Sequence, residues 1–291
     1  MSEDLRGPRA PTAFVLAGGG SLGAVEVGML QALVEAGVVP DLVVGASVGA
    51  INGVYFAAAP DVRGVARLAG IWRGIRRDDV FPVSVSQGLR TLLGRGAALL
   101  SPNGLRRLLE EHLPCHALEG TTVPVHVVAT DFASGAEVVL SRGSALEALL
   151  ASVAIPAVFP PVALGGRDLV DGGIASNTPI AAAVSLGAGR VIVLPTGFSC
   201  HADPVPRRAL GAALHALNLL IARQLASDVQ RLEGQVELHV VPPLCPLARS
   251  AYDFSGTAEL IDRALRSTRI WLESGGLDER AIPGALRPHA H

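Results

Sequence analysis

Two short apolar runs, each stopped abruptly by small residues, constrain this chain more than any other feature. Thr12 to Ala17 runs into Gly18-Gly19-Gly20-Ser21-Leu22-Gly23, and Asp41 to Val44 runs into Gly45-Ala46-Ser47-Val48-Gly49. Between them, Ala24 to Ala36 has the apolar density of a buried helix and stops at Gly37, a residue type that closes helices. Strand, glycine loop, helix and strand make a βαβ unit, whose crossover is right-handed. Neighbouring parallel strands present their C-terminal ends to one crevice, so the glycine loop and the serine turn face the same site.

Composition supports a single covered sheet. Of 291 residues, 49% are hydrophobic and 17% charged, and no stretch reads as a linker with a change of composition across it. Near-continuous apolar strands such as Val191 to Leu194 predict a sheet with helices on both faces, the α/β class. The expectation is one domain over 1–291, with a motif-bearing core at 10–200, strands and helices completing it at 200–275, and a tail at 276–291. A poorly patterned stretch, Gly74 to Leu100, is expected to be a mobile or cap-like insertion. A hairpin is expected over Val123 to Leu140 and a long amphipathic helix over Arg207 to Leu232. The net charge of −2 excludes a general attraction to nucleic acid or anionic lipid. Cys115, Cys200 and Cys245 are odd in number and far apart, so neither a disulfide framework nor a metal site is expected, and no cofactor is called for. Met1 to Arg9 lacks the apolar core of a signal peptide. The runs Leu42 to Ala59 and Ala209 to Ala222 are too short or too polar for a span of about 20 apolar residues. The location expected is cytoplasmic, at most peripheral to the inner membrane face. Nothing in the sequence sets an oligomeric state.

Ser47 lies in G-x-S-x-G, the pattern of a nucleophile elbow. A serine on a tight strand-to-helix turn is held exposed, and glycines flank it because side chains there would strike neighbouring backbone. Its hydroxyl then sits at a helix N-terminus, where free N–H groups favour negative charge. The loop Gly18 to Gly23 also fits G-x-G-x-x-G, so a dinucleotide site competes with this reading. A Rossmann site wants an acidic residue at the end of the second strand, whereas Asp41 stands at its start and the strand ends in the serine turn. Backbone N–H groups of Gly18, Gly19 and Gly20 beside Ser47 would serve as an oxyanion hole.

A serine hydroxyl needs a base to attack near neutral pH. Among the eight histidines, His126 and His239 lie within expected strands, His215 within a helix, and His289 and His291 in the tail. His112 and His116 read as surface or packing residues, and His201, in a loop after a strand, stays open as the base of a Ser-His-Asp esterase. Asp171 is the better partner: it ends an apolar segment, and Gly172-Gly173 lets backbone pack close around it. Desolvation raises a carboxylate toward the range a general base needs.

The loop Gly18 to Gly23, the turn Gly45 to Gly49, the block Ala151-Ser-Val-Ala-Ile-Pro-Ala-Val-Phe-Pro-Pro and Asp171-Gly172-Gly173 occur in the order and context of the patatin-like phospholipases, which the chain resembles from about Ala13 to Leu194. The resemblance implies a three-layer α/β/α fold with a mainly parallel central sheet. It also implies a Ser-Asp dyad with Ser47 as nucleophile and Asp171 as base, an oxyanion hole at Gly18 to Gly20, and no histidine, metal or cofactor. The substrate implied is a lipid or small acyl ester, met at a membrane surface and cleaved through an acyl-enzyme. One departure stands out: Leu22 occupies a position where many members carry Arg or Lys, so the loop lacks a positive charge that would support a lipid phosphate. Asp131, after Val127-Val-Ala-Thr, resembles another family position and reads as the anchor of the hairpin turn. A catalytically silent, lipid-binding member of the family is the alternative.

Overall fold

A computed structural model describes residues 10–81, 100–197, 223–225, 227–232, 234–245, 247 and 250–278. Its spine is five parallel strands joined by four pairings. Strand β1 (Thr12–Leu16) lies between β2 (Leu42–Ala46) and β7 (Arg190–Leu194); β2 pairs with β3 (Val125–Asp131) and β7 with β8 (Glu237–Val240), all parallel. The antiparallel part lies at the far edge: β4 (Glu137–Leu140) and β6 (Arg167–Asp171) both pair with β3, and β5 (Val162–Leu164) pairs with β6.

Alternation along the central strands shows why both faces are covered. Phe14, Leu16, Ile192 and Leu194 point into one core, Ala13, Val15, Val191 and Val193 into the other, and all eight are fully buried. The first core is roofed by α1 (Gly23–Glu35), α2 (Val48–Ala58), α3 (Val62–Gly74) and the long helix Thr257–Glu273. Phe14 stacks on Phe56 of α2 at 5.8 Å; burial of each such ring contributes about 2–3 kcal/mol. The second core is closed by Ile180–Ser185 and by the helical residues Leu225, Val229 and Leu232. Three layers and a mainly parallel sheet result, as expected.

Several local details differ from the sequence reading. A helix runs from Asn103 to His112, with Pro102 at its N-cap, while Ser101 Oγ accepts from Asn103 N at 3.3 Å. Within the stretch expected to be a cap-like insertion, Arg77–Val80 forms one helical turn; residues 82–99 lie outside the described residues, as do 207–222 of the expected amphipathic helix, the tail from 279 on, Cys200, His201, His215, His289 and His291. The β5–β6 hairpin was not anticipated. Its two-residue turn is Gly165-Gly166, with φ of 61° and 75°, the conformation that a right-twisted hairpin requires and that glycine adopts freely. Among the described residues no helix is long and apolar enough to cross a membrane.

Candidate active site

The end of β2 builds the first half of the site. Ser47 has φ 54° and ψ −127°, a conformation that L-residues rarely adopt and that costs about 1–3 kcal/mol. Two features hold it there. A Cβ on Gly49 would lie 2.5 and 2.6 Å from the Leu16 and Ala17 carbonyl oxygens, and one on Gly45 would strike the Gly49 carbonyl, so the turn closes only with glycine at both places. The Ser47 amide donates to Ser152 Oγ at 2.8 Å, and that hydroxyl donates to the Val128 carbonyl at 2.6 Å. Gly49→Ala separates packing from propensity: alanine gains about 1 kcal/mol in a helix, whereas overpacking against rigid backbone costs about 1–3 kcal/mol or more. The expected outcome is a lower melting temperature by calorimetry; a rise would mean the turn has room.

Strand register brings in the second half. β2 pairs with β3 residues 125–128, ending at Ala46 opposite Val128; β6 runs the other way along residues 129–131, ending at Asp171 opposite Ala129. Because β4 pairs with β3 residues 127–130 and so occupies its other edge, β2 and β6 share one edge and meet C-terminus to C-terminus. Their next residues must touch. Ser47 Oγ donates to Asp171 Oδ2 at 2.7 Å. Gly173 N donates to Asp171 Oδ1 at 2.8 Å, the Asp171 amide donates to Ala154 O, and the Asp171 carbonyl accepts from Thr130 Oγ1. Gly172 sits where a Cβ would overlap the Val128 carbonyl. Asp171 is 7% exposed, and burial pushes its carboxyl up to about 6 against the opposing hydrogen bonds from Ser47 and Gly173.

The glycine loop closes the third side. Gly18 packs against Ser47 Cβ and Asn177. Its N–H donates to the Asn177 carbonyl at 2.9 Å, and its carbonyl accepts from Asn177 Nδ2 at 3.2 Å and Thr196 Oγ1 at 2.7 Å. Ser21 is tied to the loop at 250–252 through Ser21 N to Ala251 O at 2.8 Å and Ser21 Oγ to Ser250 O at 3.1 Å. Of the three amides expected as donors, Gly18 is therefore engaged, while those of Gly19 and Gly20 have no partner among the described residues. Tyr252, on the same loop, packs on Phe81, and the Asp171 charge adds to burial in raising its pKa.

The described histidines lie elsewhere. His126 contacts Ser141 at 2.7 Å, and His239 contacts Glu237 at 2.9 Å. Asp131 Oδ1 accepts from Ala133 N, Ser134 N and Ser134 Oγ within the β3–β4 turn. Among the described residues no cluster of His, Cys, Asp or Glu is arranged to hold a metal ion. Sequence reasoning missed Ser152, Asn177 and Thr196. Thr196 follows the C-terminal end of β7, and the crevice rule that singled out Ser47 would have pointed to it. Ser152 lies inside the quoted Ala151–Pro161 block. Ala251 and Tyr252 carry no comparable signal.

The site thus joins a buried serine–carboxylate pair at converging strand ends to a loop in which two amides have no partner among the described residues. A family model, Patatin-like phospholipase, matches residues 14–184, more than half of the chain, and the chain belongs to that family. It is 29% identical over 193 residues to the patatin-like phospholipase domain-containing protein 7 of Rattus norvegicus, covering 66% of this chain and 14% of that protein. It is 34% identical over 169 residues to an uncharacterized NTE family protein of Mycobacterium tuberculosis, covering 57% and 27%. The chain thus spans about a quarter or less of the length of these relatives. Among solved structures, VipD from Legionella pneumophila aligns over 93% of this chain and 67% of that one, with a TM-score of 0.50 and 16% identity, a likeness of fold.

Proposed function

We propose that this protein is a serine acyl hydrolase that cleaves carboxylic ester bonds of lipids through a Ser47–Asp171 dyad. The observation that carries the reading is the 2.7 Å hydrogen bond from Ser47 Oγ to a buried carboxylate, with no described histidine in contact with either residue. Ionised Asp171 accepts the Ser47 proton as Oγ bonds to the ester carbonyl carbon. The carbonyl oxygen becomes an oxyanion, met by the Gly19 and Gly20 amides, the two that have no partner among the described residues. Gly18 takes a supporting part: its peptide, clamped by Asn177 and Thr196, fixes the direction of the next two.

Collapse of the tetrahedral adduct breaks the bond to the alcohol, which leaves with the proton from Asp171, and an acyl-enzyme remains. Asp171 then takes a proton from water, hydroxide adds to the acyl carbon, and Ser47 recovers its proton as the fatty acid departs. Each proton taken is returned, so no further group is needed. Leu22, half-buried near Gly197 and Leu247, gives the loop an apolar rim, which suits an acyl ester more than an anionic headgroup.

Two assays test this. A fluorophosphonate probe is expected to label the wild-type chain, with peptide mass spectrometry placing the adduct on Ser47, and p-nitrophenyl acyl esters are expected to turn over. A folded wild-type chain that neither labels nor hydrolyses would leave the silent, lipid-binding alternative standing.

A further inference from the structure

The core beneath the glycine loop holds a buried polar group that the reaction does not use. Glu26, in the first turn of α1, is fully buried, as is Asn52 of α2, and Trp72 of α3 is 4% exposed. Asn52 Nδ2 donates to Glu26 Oε2 at 2.8 Å and to the Gly23 carbonyl at 2.9 Å, and Trp72 Nε1 donates to Asn52 Oδ1 at 2.8 Å. Burial holds the Glu26 carboxyl well above the usual carboxylate range, against the Asn52 hydrogen bond and the Ala17 amide. That Ala17 amide donates to the Leu194 carbonyl at a long 3.3 Å, and Glu26 Oε1 has no hydrogen-bond partner among the described residues.

The places these bonds join are not arbitrary. Gly23 closes the glycine loop and opens α1; Asn52 lies on the helix that Ser47 caps; Trp72, on α3, donates to Asn52. Gly23 also faces the Val48 side chain and, at 3.1 Å from an ideal Cβ, the Trp72 ring. A shift of α1 along α2 would move the Gly19 and Gly20 amides relative to Ser47. Apolar contacts resist such sliding weakly because they are non-directional, whereas the three hydrogen bonds of Asn52 to Glu26, Gly23 and Trp72 are directional and favour one geometry.

We propose that Glu26, Asn52 and Trp72 form a positioning set that fixes the glycine loop, and with it the Gly19 and Gly20 amides, relative to Ser47. The proposal rests on Ser47 being the nucleophile and the loop amides its oxyanion donors. Asn52→Leu and Glu26→Leu are expected to lower kcat about tenfold or more with KM within about twofold, because misplacing preorganised donors by an ångström costs up to about a hundredfold. Glu26→Gln, which keeps an acceptor for Asn52 in a neutral group of the same shape, is expected to restore most of what Glu26→Leu loses. Hydrogen–deuterium exchange of the peptide spanning 17–23 provides a readout free of activity: it is expected to quicken in both Leu variants and return toward wild type in Glu26→Gln. Leu variants with lower melting temperatures but unchanged kcat and unchanged loop exchange would reduce the network to a stabilising core element and overturn the proposal. Quickened exchange in a wild-type background that shows no hydrolysis would instead keep the network's hold on the loop and sink the catalytic reading it serves.

Discussion

Asp171→Asn is expected to lower kcat by about 10³–10⁴-fold, the contribution of a positioned general base, while leaving the chain folded. Asparagine keeps the shape, and its single carbonyl oxygen can still accept from the Gly173 amide while its NH2 group faces Ser47 Oγ as a donor, so one of the two bonds that hold the carboxylate is kept and the other reverses; it cannot take the serine proton. Stopped assays with a chromogenic acyl ester, alongside circular dichroism, check both halves. Activity within tenfold of wild type would remove Asp171 from the chemistry. The wild-type pH profile gives an independent check. A base raised to about 6 by burial makes kcat/KM rise with pH through about 6 and level off above about 7.

Stability should change in the opposite sense. The folded pKa of Asp171, about 6, lies above the unfolded value of about 3.9, so the folded state holds this proton more tightly. The stability it contributes is full below about pH 4 and is lost as pH rises through about 6. A shift of about two units corresponds to about 2–3 kcal/mol. Asp171→Asn has no such titration, so its stability relative to wild type is expected to improve by roughly that amount between pH 4 and 7, measured by urea melts. The raised pKa is a cost to the fold at neutral pH.

Ser47→Ala is expected to have the larger effect, a loss of about 10⁵–10⁶-fold in kcat, with fluorophosphonate labelling abolished. The fold is expected to survive because the amide bond to Ser152 Oγ and the glycine contacts at 45 and 49 remain. Removing the hydroxyl also removes a hydrogen bond that holds the Asp171 pKa down, so the stability titration should move above pH 6 in this variant. The double variant Ser47→Ala with Asp171→Asn should be no slower than Ser47→Ala alone, since two residues acting in one step are non-additive. Losses that multiplied would mean the two residues act separately, and retained labelling in Ser47→Ala would place the nucleophile elsewhere.

Much of this arrangement was legible before any coordinates. The βαβ unit, the glycine loop, the serine turn and the Asp-Gly-Gly turn all lie where periodicity and small-residue punctuation put them, because each depends on backbone preferences acting over a few residues. Where the reading fell short, the deciding contacts were long-range. The glycine run at 18–20 announces three equivalent amides, yet the Gly18 amide is taken by the carbonyl of Asn177, a residue distant in sequence whose own side chain donates back to the Gly18 carbonyl. The β5–β6 hairpin was missed because its strands are short and irregular in pattern, although Gly165-Gly166 marked the turn. Glu26 and Asn52 were not singled out from the sequence; only packing of three helices shows that both are buried and bonded to each other.

The sequence by itself determined which residues have the right chemistry and the right local backbone: a serine that only a glycine-flanked elbow can hold, amides freed by a glycine loop, and an aspartate before two glycines. The tertiary structure decided which of them meet. Ser47 and Asp171 are 124 residues apart, and no local preference relates them. They touch because β2 and β6, running in opposite directions, share one edge of β3 and end at adjacent rungs. Strand register converts separation along the chain into a 2.7 Å contact, and the same burial that seals the contact raises the Asp171 carboxyl to about 6.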